Sequence, residues 1–117
     1  MNRRTTLGAI EARLEREGLL RPESRLSTAD AAREVDDVTG DSRAAKAGTL
    51  FCAVVGTASD SHRFLPAVAE SGAAGATVER ADASIPIPQI AVTDGRRATA
   101  FAAAEFFGDP WAQMTLV

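Results

Sequence analysis

The residues best suited to chemistry lie in one stretch, residues 39–56 (TGDSRAAKAGTLFCAVVG). Ser42 can donate a hydroxyl hydrogen bond and Arg43 carries a guanidinium fork, and both groups suit an anion such as phosphate. Glycines that let backbone N–H groups approach such a ligand closely are also present: Gly40, Gly48 and Gly56. The stretch therefore predicts a binding surface for a polar, anionic ligand.

Each of these residues also has a purely structural explanation. Serine in a turn commonly bonds its own backbone, so Ser42 need not face a ligand. Arg43 can instead form a surface ion pair with Asp41, worth under about 1 kcal/mol. Gly48 can serve only as the turn residue. The residue types leave both interpretations open, with Asp41 and Arg43 as supporting members of the site.

Other kinds of site are excluded by the residues available. His62 is the only histidine and Cys52 the only cysteine, so neither a histidine-rich metal site nor a thiolate zinc site can form. The only lysine, Lys46, lacks the first half of a phosphate-binding loop. The pair Asp36-Asp37 suggests a phosphoacceptor domain. That class needs a lysine after a late strand, and the sequence has none there. We therefore assign no catalytic residue and no metal ligand.

Two of these residues still need an interpretation. Cys52 lies inside an apolar run, which favours a small buried side chain over a nucleophile or redox thiol. His62 comes just before a predicted helix, which favours a capping or surface role over that of a general base.

The central element is the apolar run at residues 50–55. A run of this length that is closed by Gly56 predicts a strand buried on both faces. Polar groups would then lie at both ends of a core strand. Open α/β sheets place ligand sites near strand ends.

The surrounding pattern supplies the other elements of the fold. Helices are predicted at residues 5–18, at 64–71 with Phe64 on the apolar face, and from an Asp94 cap to Phe107, with a helical turn at 29–34. Strands are predicted at residues 34–39 (edge-like), 75–79 and 89–93, and connections over the surface at 19–28, 57–63 and 81–88. Alternation of strand and helix predicts an α/β fold with a small, mostly parallel sheet flanked by helices.

Composition bounds the partners and the location. The 117 residues suffice for a single domain, and their net charge of −3 lacks the basic face that nucleic acid requires. No apolar run approaches the roughly 20 residues that span a membrane. The N-terminus lacks the apolar segment of a signal peptide, and a lone cysteine suits a reducing compartment. We expect a cytoplasmic protein with neither membrane nor nucleic acid as partner.

A series of motifs resembles a known family. The motifs are DSR (41–43), G-x-LFCAVVG (48–56), D-x-H-R-F (60–64) and the glycine-alanine segment 72–78. Together they resemble the N-terminal domain of the Mur ligases, most of all the MurE type. The ending FFGDPWAQMTLV is similar to the segment that precedes the ATP-binding loop in that family. The resemblance spans residues 35–117.

This resemblance implies an ATP- and Mg²⁺-dependent ligase of peptidoglycan synthesis. Its full-length enzymes activate UDP-N-acetylmuramoyl-L-alanyl-D-glutamate as an acyl phosphate, which a diamino acid attacks. In that scheme this domain holds the UDP moiety and carries no cofactor of its own, so the 117-residue chain is expected to be inactive alone. The family's UDP contacts fall on these residues: Gly40, Ser42, Thr57, Ala58 and Ser59.

The chain departs from the family pattern at two places in the second contact loop. Ser61 stands where the family often has glycine, and Thr57 where it often has histidine or another polar residue. The first contact motif, at Gly40 and Ser42, is unaffected.

The resemblance also implies a domain layout. Residues 1–28 would be a helical lead-in and connection, residues 34–113 the α/β core, and residues 114–117 the start of a central ATPase domain. Because the chain ends on the apolar residues MTLV, we expect it to be the front piece of a longer protein, with the other ligase domains following Val117.

Other identities stay open at this point. They are a MurF-type ligase domain, a stand-alone nucleotide-sugar binding module and a small α/β interaction domain without a ligand.

Overall fold

A computed structural model describes residues 5–22, 24–54 and 61–108 of the chain. Its helices are α1 (Leu7–Arg16), α2 (Thr28–Ala31), α3 (Leu65–Glu70) and α4 (Gly95–Phe107), with 3-10 turns at Ser42–Ala44 and Ser61–Phe64. Its strands are β1 (Thr5–Thr6), β2 (Glu34–Val35), β3 (Asp37–Thr39), β4 (Thr49–Cys52), β5 (Gly75–Val78) and β6 (Gln89–Ala91).

Four of the strands form one sheet in the order β3-β4-β5-β6, and every neighbouring pair is parallel. The predicted α/β class with a mostly parallel sheet is therefore confirmed. The strand predicted at residues 34–39 is divided in two. Its first half pairs antiparallel with β1, which the sequence analysis missed, and its second half is the edge strand β3.

The buried strand β4 lies at the centre of the core, as predicted. Side chains alternate across a strand, so its residues divide between the two faces of the sheet. Leu50 and Cys52 pack with α1 and α4, whereas Phe51 and Ala53 pack with Leu65 and Val68 around α3. All four residues of β4 are buried because helices cover both faces.

Local sequence signals explain the helix ends. The Thr6 hydroxyl accepts from the N–H of Ala9 and starts α1, while Gly18, at φ 76°, follows its last turn. The Asp94 carboxylate accepts from the N–H groups of Arg96 and Arg97, which confirms it as the cap of α4. The helix predicted at residues 64–71 begins instead as a 3-10 turn and becomes α3 only at Leu65.

Residues 19–28 were predicted as a connection over the surface, but they also bond to an edge of the sheet. Leu20 bridges Val92 antiparallel, the Arg21 N–H donates to the Ala91 carbonyl, and the buried Ser24 hydroxyl accepts from the Ala91 N–H. These bonds satisfy the outer edge of β6, which would otherwise present unpaired backbone groups. The pattern of residues 19–28 shows no period because the segment follows an edge without forming a strand of its own.

The predicted placement of polar groups at opposite ends of β4 is also wrong. Because β3 and β4 run parallel, residues that follow β3 lie beside the carboxyl end of β4. A Cβ added at Gly40 would lie 3.8 Å from the Cys52 carbonyl oxygen. The polar cluster at Gly40 therefore shares an edge of the sheet with the chain that leaves β4. This edge is called the carboxyl edge below.

Several predictions fall outside the described residues. They concern Thr57, Ala58 and Ser59 and the layout of residues 109–117. None of the helices in the described part is long and apolar enough to cross a membrane.

Candidate functional site

An open groove of about 400 Å³ lies at the carboxyl edge, next to the end of β3. Its lining consists of Gly40, Asp41, Ser42, Arg43 and Phe64. Four of these five residues were predicted as a site from the sequence, and the structure brings them together around one cavity. The groove volume is within the range of small-ligand sites.

Asp41 builds the turn that carries Ser42. Its N–H donates to the Thr39 hydroxyl over 3.0 Å, and its carboxylate accepts from the Arg43 N–H over 2.9 Å. These bonds cap the 3-10 turn Ser42–Ala44, since short acidic side chains pair readily with backbone two residues ahead. Asp41 thus has a structural role at this site.

Arg43 forms the surface ion pair that was one of its two interpretations. Its Nε and a terminal nitrogen each lie 3.2 Å from the Asp41 carboxylate oxygens. This hydrogen-bonded pairing lowers the pKa of Asp41 and raises the pKa of Arg43. Because the Arg43 side chain is 89% exposed, the pair adds little stability. The guanidinium can therefore turn toward an anion at small cost.

Ser42 is half-buried at the groove, and its hydroxyl makes no hydrogen bond to another residue of the described ranges. The alternative in which this hydroxyl bonds its own backbone therefore does not hold within that part of the chain. A side-chain donor at the wall of a groove is suited to a ligand oxygen.

The sequence analysis missed two residues next to the groove, Phe64 and Arg63. Phe64 was assigned to the apolar face of a helix, but it lies in a 3-10 turn, is half-buried and lines the groove. The Arg63 guanidinium carbon lies 4.7 Å from the centre of the Phe64 ring, an attractive cation–π distance. The adjacent pair Arg-Phe in the D-x-H-R-F motif is the signal that could have identified them.

His62 and Cys52 have structural roles in the described part of the chain. The His62 Nε2 accepts a hydrogen bond from the Glu79 N–H over 2.9 Å, so the imidazole joins a turn to β5 and is not simply a surface or capping group. Cys52 is fully buried, and this burial raises the pKa of its thiol. The prediction of a small buried side chain at Cys52 is confirmed. The described residues include no group of histidine, cysteine and acidic side chains that could hold a metal.

Comparison with known proteins adds sequence relatives to this geometry. No family model matches the chain. It is 39% identical over 89 residues to the UDP-N-acetylmuramoyl-L-alanyl-D-glutamate–2,6-diaminopimelate ligase of Bradyrhizobium diazoefficiens, over 76% of this chain and 18% of the relative. It is also 39% identical over 84 residues to the ligase of the same name from Listeria monocytogenes, over 72% of this chain and 17% of that relative.

Solved structures agree with the sequence relatives. Two crystal structures of MurF from Acinetobacter baumannii resemble the chain, with TM-scores of 0.65 and 0.67 and identities of 25% and 24%. They cover 83% and 89% of this chain but only 20% and 21% of the MurF chain. The chain thus spans about a fifth of the length of the proteins it matches. In sequence and in fold, it belongs to the Mur ligase family.

Proposed function

We propose that this chain is the N-terminal domain of a MurE-type ligase and that it binds the UDP moiety of UDP-N-acetylmuramoyl-L-alanyl-D-glutamate. The observation that carries the proposal is the groove at the carboxyl edge, which Ser42 and Phe64 both line. The proposal gives the domain a holding role.

The groove offers separate partners for the two parts of UDP. A uracil ring needs an apolar wall, which the half-buried Phe64 ring supplies. A diphosphate needs hydroxyl, backbone N–H and cationic donors. Ser42 and the exposed turn around Gly40 supply the first two kinds, and Arg43 and the exposed Arg63 supply positive charge. Since the described residues of the groove form no large basic cluster, we expect modest affinity.

A second contact segment is proposed at Thr57, Ala58 and Ser59. Parallel strands end at the same edge of a sheet, so the chain that leaves β4 after Cys52 starts next to the groove. This topology supports a contribution from both segments to one ligand.

The activity of the full-length protein is likewise a proposal. The chain spans 17–18% of the two ligases described above, so the ATP- and Mg²⁺-dependent step would belong to domains that follow Val117. Sequence identities near 39% to diaminopimelate-adding ligases favour the MurE type. The structural similarity to MurF keeps a MurF-type domain as the second candidate. A GTNGKT-like phosphate loop encoded directly after Val117 would support a ligase, and a stop codon a binding module.

Titration with UDP-N-acetylmuramate, followed by amide chemical shifts, tests the binding proposal. We expect shift changes at Gly40, Ser42 and residues 57–59, with none at Ser84. Ser84 is an exposed control whose hydroxyl donates to the Asp82 carboxylate. The absence of change at Gly40 and Ser42 at millimolar ligand would contradict the proposal and favour an interaction domain.

A further inference from the structure

One hydrogen bond joins the turn beside the groove to the carboxyl end of β5, an inner strand of the sheet. The Glu79 N–H, directly after β5, donates to the Nε2 of His62 over 2.9 Å. His62 lies in the 3-10 turn Ser61–Phe64, which lies between β4 and α3 in the chain. The bond therefore fixes this turn to a strand that it does not follow in sequence.

Glu79 is a well-anchored donor. Its carbonyl accepts from the Arg21 Nε over 3.0 Å, and its carboxylate accepts from the Gly95 N–H at the start of α4 over 2.7 Å. With backbone and side chain both held, the Glu79 N–H has little freedom to follow a moving partner. A change at this bond must therefore be absorbed by His62 and its turn.

Phe64 follows His62 by two residues in the same turn. A 3-10 helix has three residues per turn, so side chains two apart point in different directions. A bond that holds His62 toward β5 thus sets the rotation of the turn and, with it, the placement of Phe64 along the groove. We propose that His62 is a positioning residue, which holds the Phe64 wall of the UDP groove through the hydrogen bond it accepts from Glu79. This inference rests on the proposed function.

The hydrogen bond from Glu79 depends on which nitrogen of the His62 imidazole carries a proton. Nε2 can accept this bond only when it carries no proton, so the proton of neutral His62 must be on Nδ1. Among the residues that the structure describes, the charged groups around His62 are Arg63 beside it, Arg80 and Asp82, which line the same surface pocket, and the Glu79 carboxylate, which is bonded to Gly95. A side chain without an acceptor at this position cannot bond the Glu79 N–H, and the turn then loses this tie to β5.

The test measures the dissociation constant for UDP-N-acetylmuramate in the 117-residue chain and three variants. We expect H62A to weaken binding on the order of tenfold, because the binding-competent placement of Phe64 becomes a minor fraction of the ensemble. H62Q keeps an acceptor on a side chain of similar reach and should restore most of the affinity. S71A removes one hydrogen bond, to the Val68 carbonyl, at the far end of α3 and should bind like the wild type.

Rescue by H62Q separates positioning from general stability, because this variant restores only the acceptor for the Glu79 N–H.

The outcomes distinguish this inference from the proposed function. If the wild type binds but H62A binds equally well, or if H62Q binds as weakly as H62A, the positioning role is wrong. If the wild type does not bind at all, the UDP proposal fails, and with it the role assigned to His62. Amide exchange at Glu79 then still reports the bond, since H62A but not S71A should lose protection there.

Discussion

The two halves of the carboxyl edge differ in how firmly their residues are held. Beside β5 and β6, Glu79 is bonded to the side chains of Arg21 and His62, and the Glu79 and Asp94 carboxylates accept from backbone N–H groups of α4. Beside β3, Asp41 and Arg43 bond mainly to each other and are exposed. The half beside β5 and β6, called the scaffold half below, is thus held by bonds to the rest of the fold. The half beside β3, called the open half, offers donors that a ligand can recruit without breaking the core.

Two glycines show this difference in packing. A Cβ added at Gly95 would lie 2.8 Å from the Ala53 carbonyl oxygen and 3.0 Å from the Glu79 carboxylate. At Gly40 the nearest atom, the Cys52 carbonyl oxygen, would lie 3.8 Å away, an ordinary contact. The scaffold half needs its glycine so that the end of β4 and the start of α4 can approach, while the open half has room.

The largest expected effect on stability comes from substitution at Gly95, with Gly40 as its control. G95A should lower the free energy of unfolding by about 1–3 kcal/mol, because a backbone carbonyl must shift to admit the methyl group. G40A, the matched control, should stay within about 0.5 kcal/mol of the wild type. Denaturant unfolding measures both. Equal losses in the two variants would contradict the division of the edge.

The next largest expected effect is the pH dependence of stability that the thiol of Cys52, at the end of β4, contributes. Burial raises the pKa of its thiol in the fold, so the unfolded chain releases this proton at lower pH than the folded chain does. Stability should therefore fall as pH rises above the thiol's unfolded pKa, by on the order of 1 kcal/mol per pH unit. Unfolding curves between about pH 8 and 10 measure the slope, with about pH 8.5 as the ordinary thiol value. C52A should lack this component, and an unchanged slope in that variant would refute the assignment.

The Asp94 cap tests the scaffold half with a smaller change. D94A should cost about 1 kcal/mol, since two N–H groups of the first turn of α4 lose their acceptor. UDP affinity should be unchanged, because Asp94 does not line the groove. A large loss of affinity together with a small loss of stability would mean that the two halves are coupled.

The smallest effect on stability is expected in the open half. R43A should change the free energy of unfolding by less than about 0.5 kcal/mol, since its ion pair with Asp41 is exposed. Affinity for UDP should nevertheless fall severalfold if Arg43 turns to the diphosphate. Measurement at low and high salt provides the check, because screening should reduce the difference between wild type and R43A.

Sequence patterns predicted this fold well where one signal dominated. The apolar run of β4 and the Asp94 cap each depend on local chemistry, and both were found close to their observed places. The edge segment at Leu20 and Ser24 was missed because its hydrogen bonds go to β6, far away in sequence. Such long-range pairing leaves no local period in the chain.

The candidate site was likewise predicted only where its residues are close together in sequence. Gly40, Asp41, Ser42 and Arg43 are adjacent in sequence, so their cluster could be predicted. Phe64 joins them only because a 3-10 turn after β4 brings it to the groove, and helical periodicity assigned it to a helix face instead. The prediction that polar groups lie at opposite ends of β4 was wrong because it considered β4 alone. The parallel pairing of β3 with β4 decides which strand ends lie side by side.

Calorimetric titration of UDP into the wild type and S42A tests the central claim most directly. Ser42 lines the groove, and its hydroxyl makes no hydrogen bond within the described ranges, so its removal should leave the fold intact. We expect saturable binding to the wild type and an affinity about tenfold or more lower in S42A, the usual result of losing a hydrogen bond to a charged group. Equal affinities in the two proteins, or no binding by the wild type at millimolar UDP, would contradict the account.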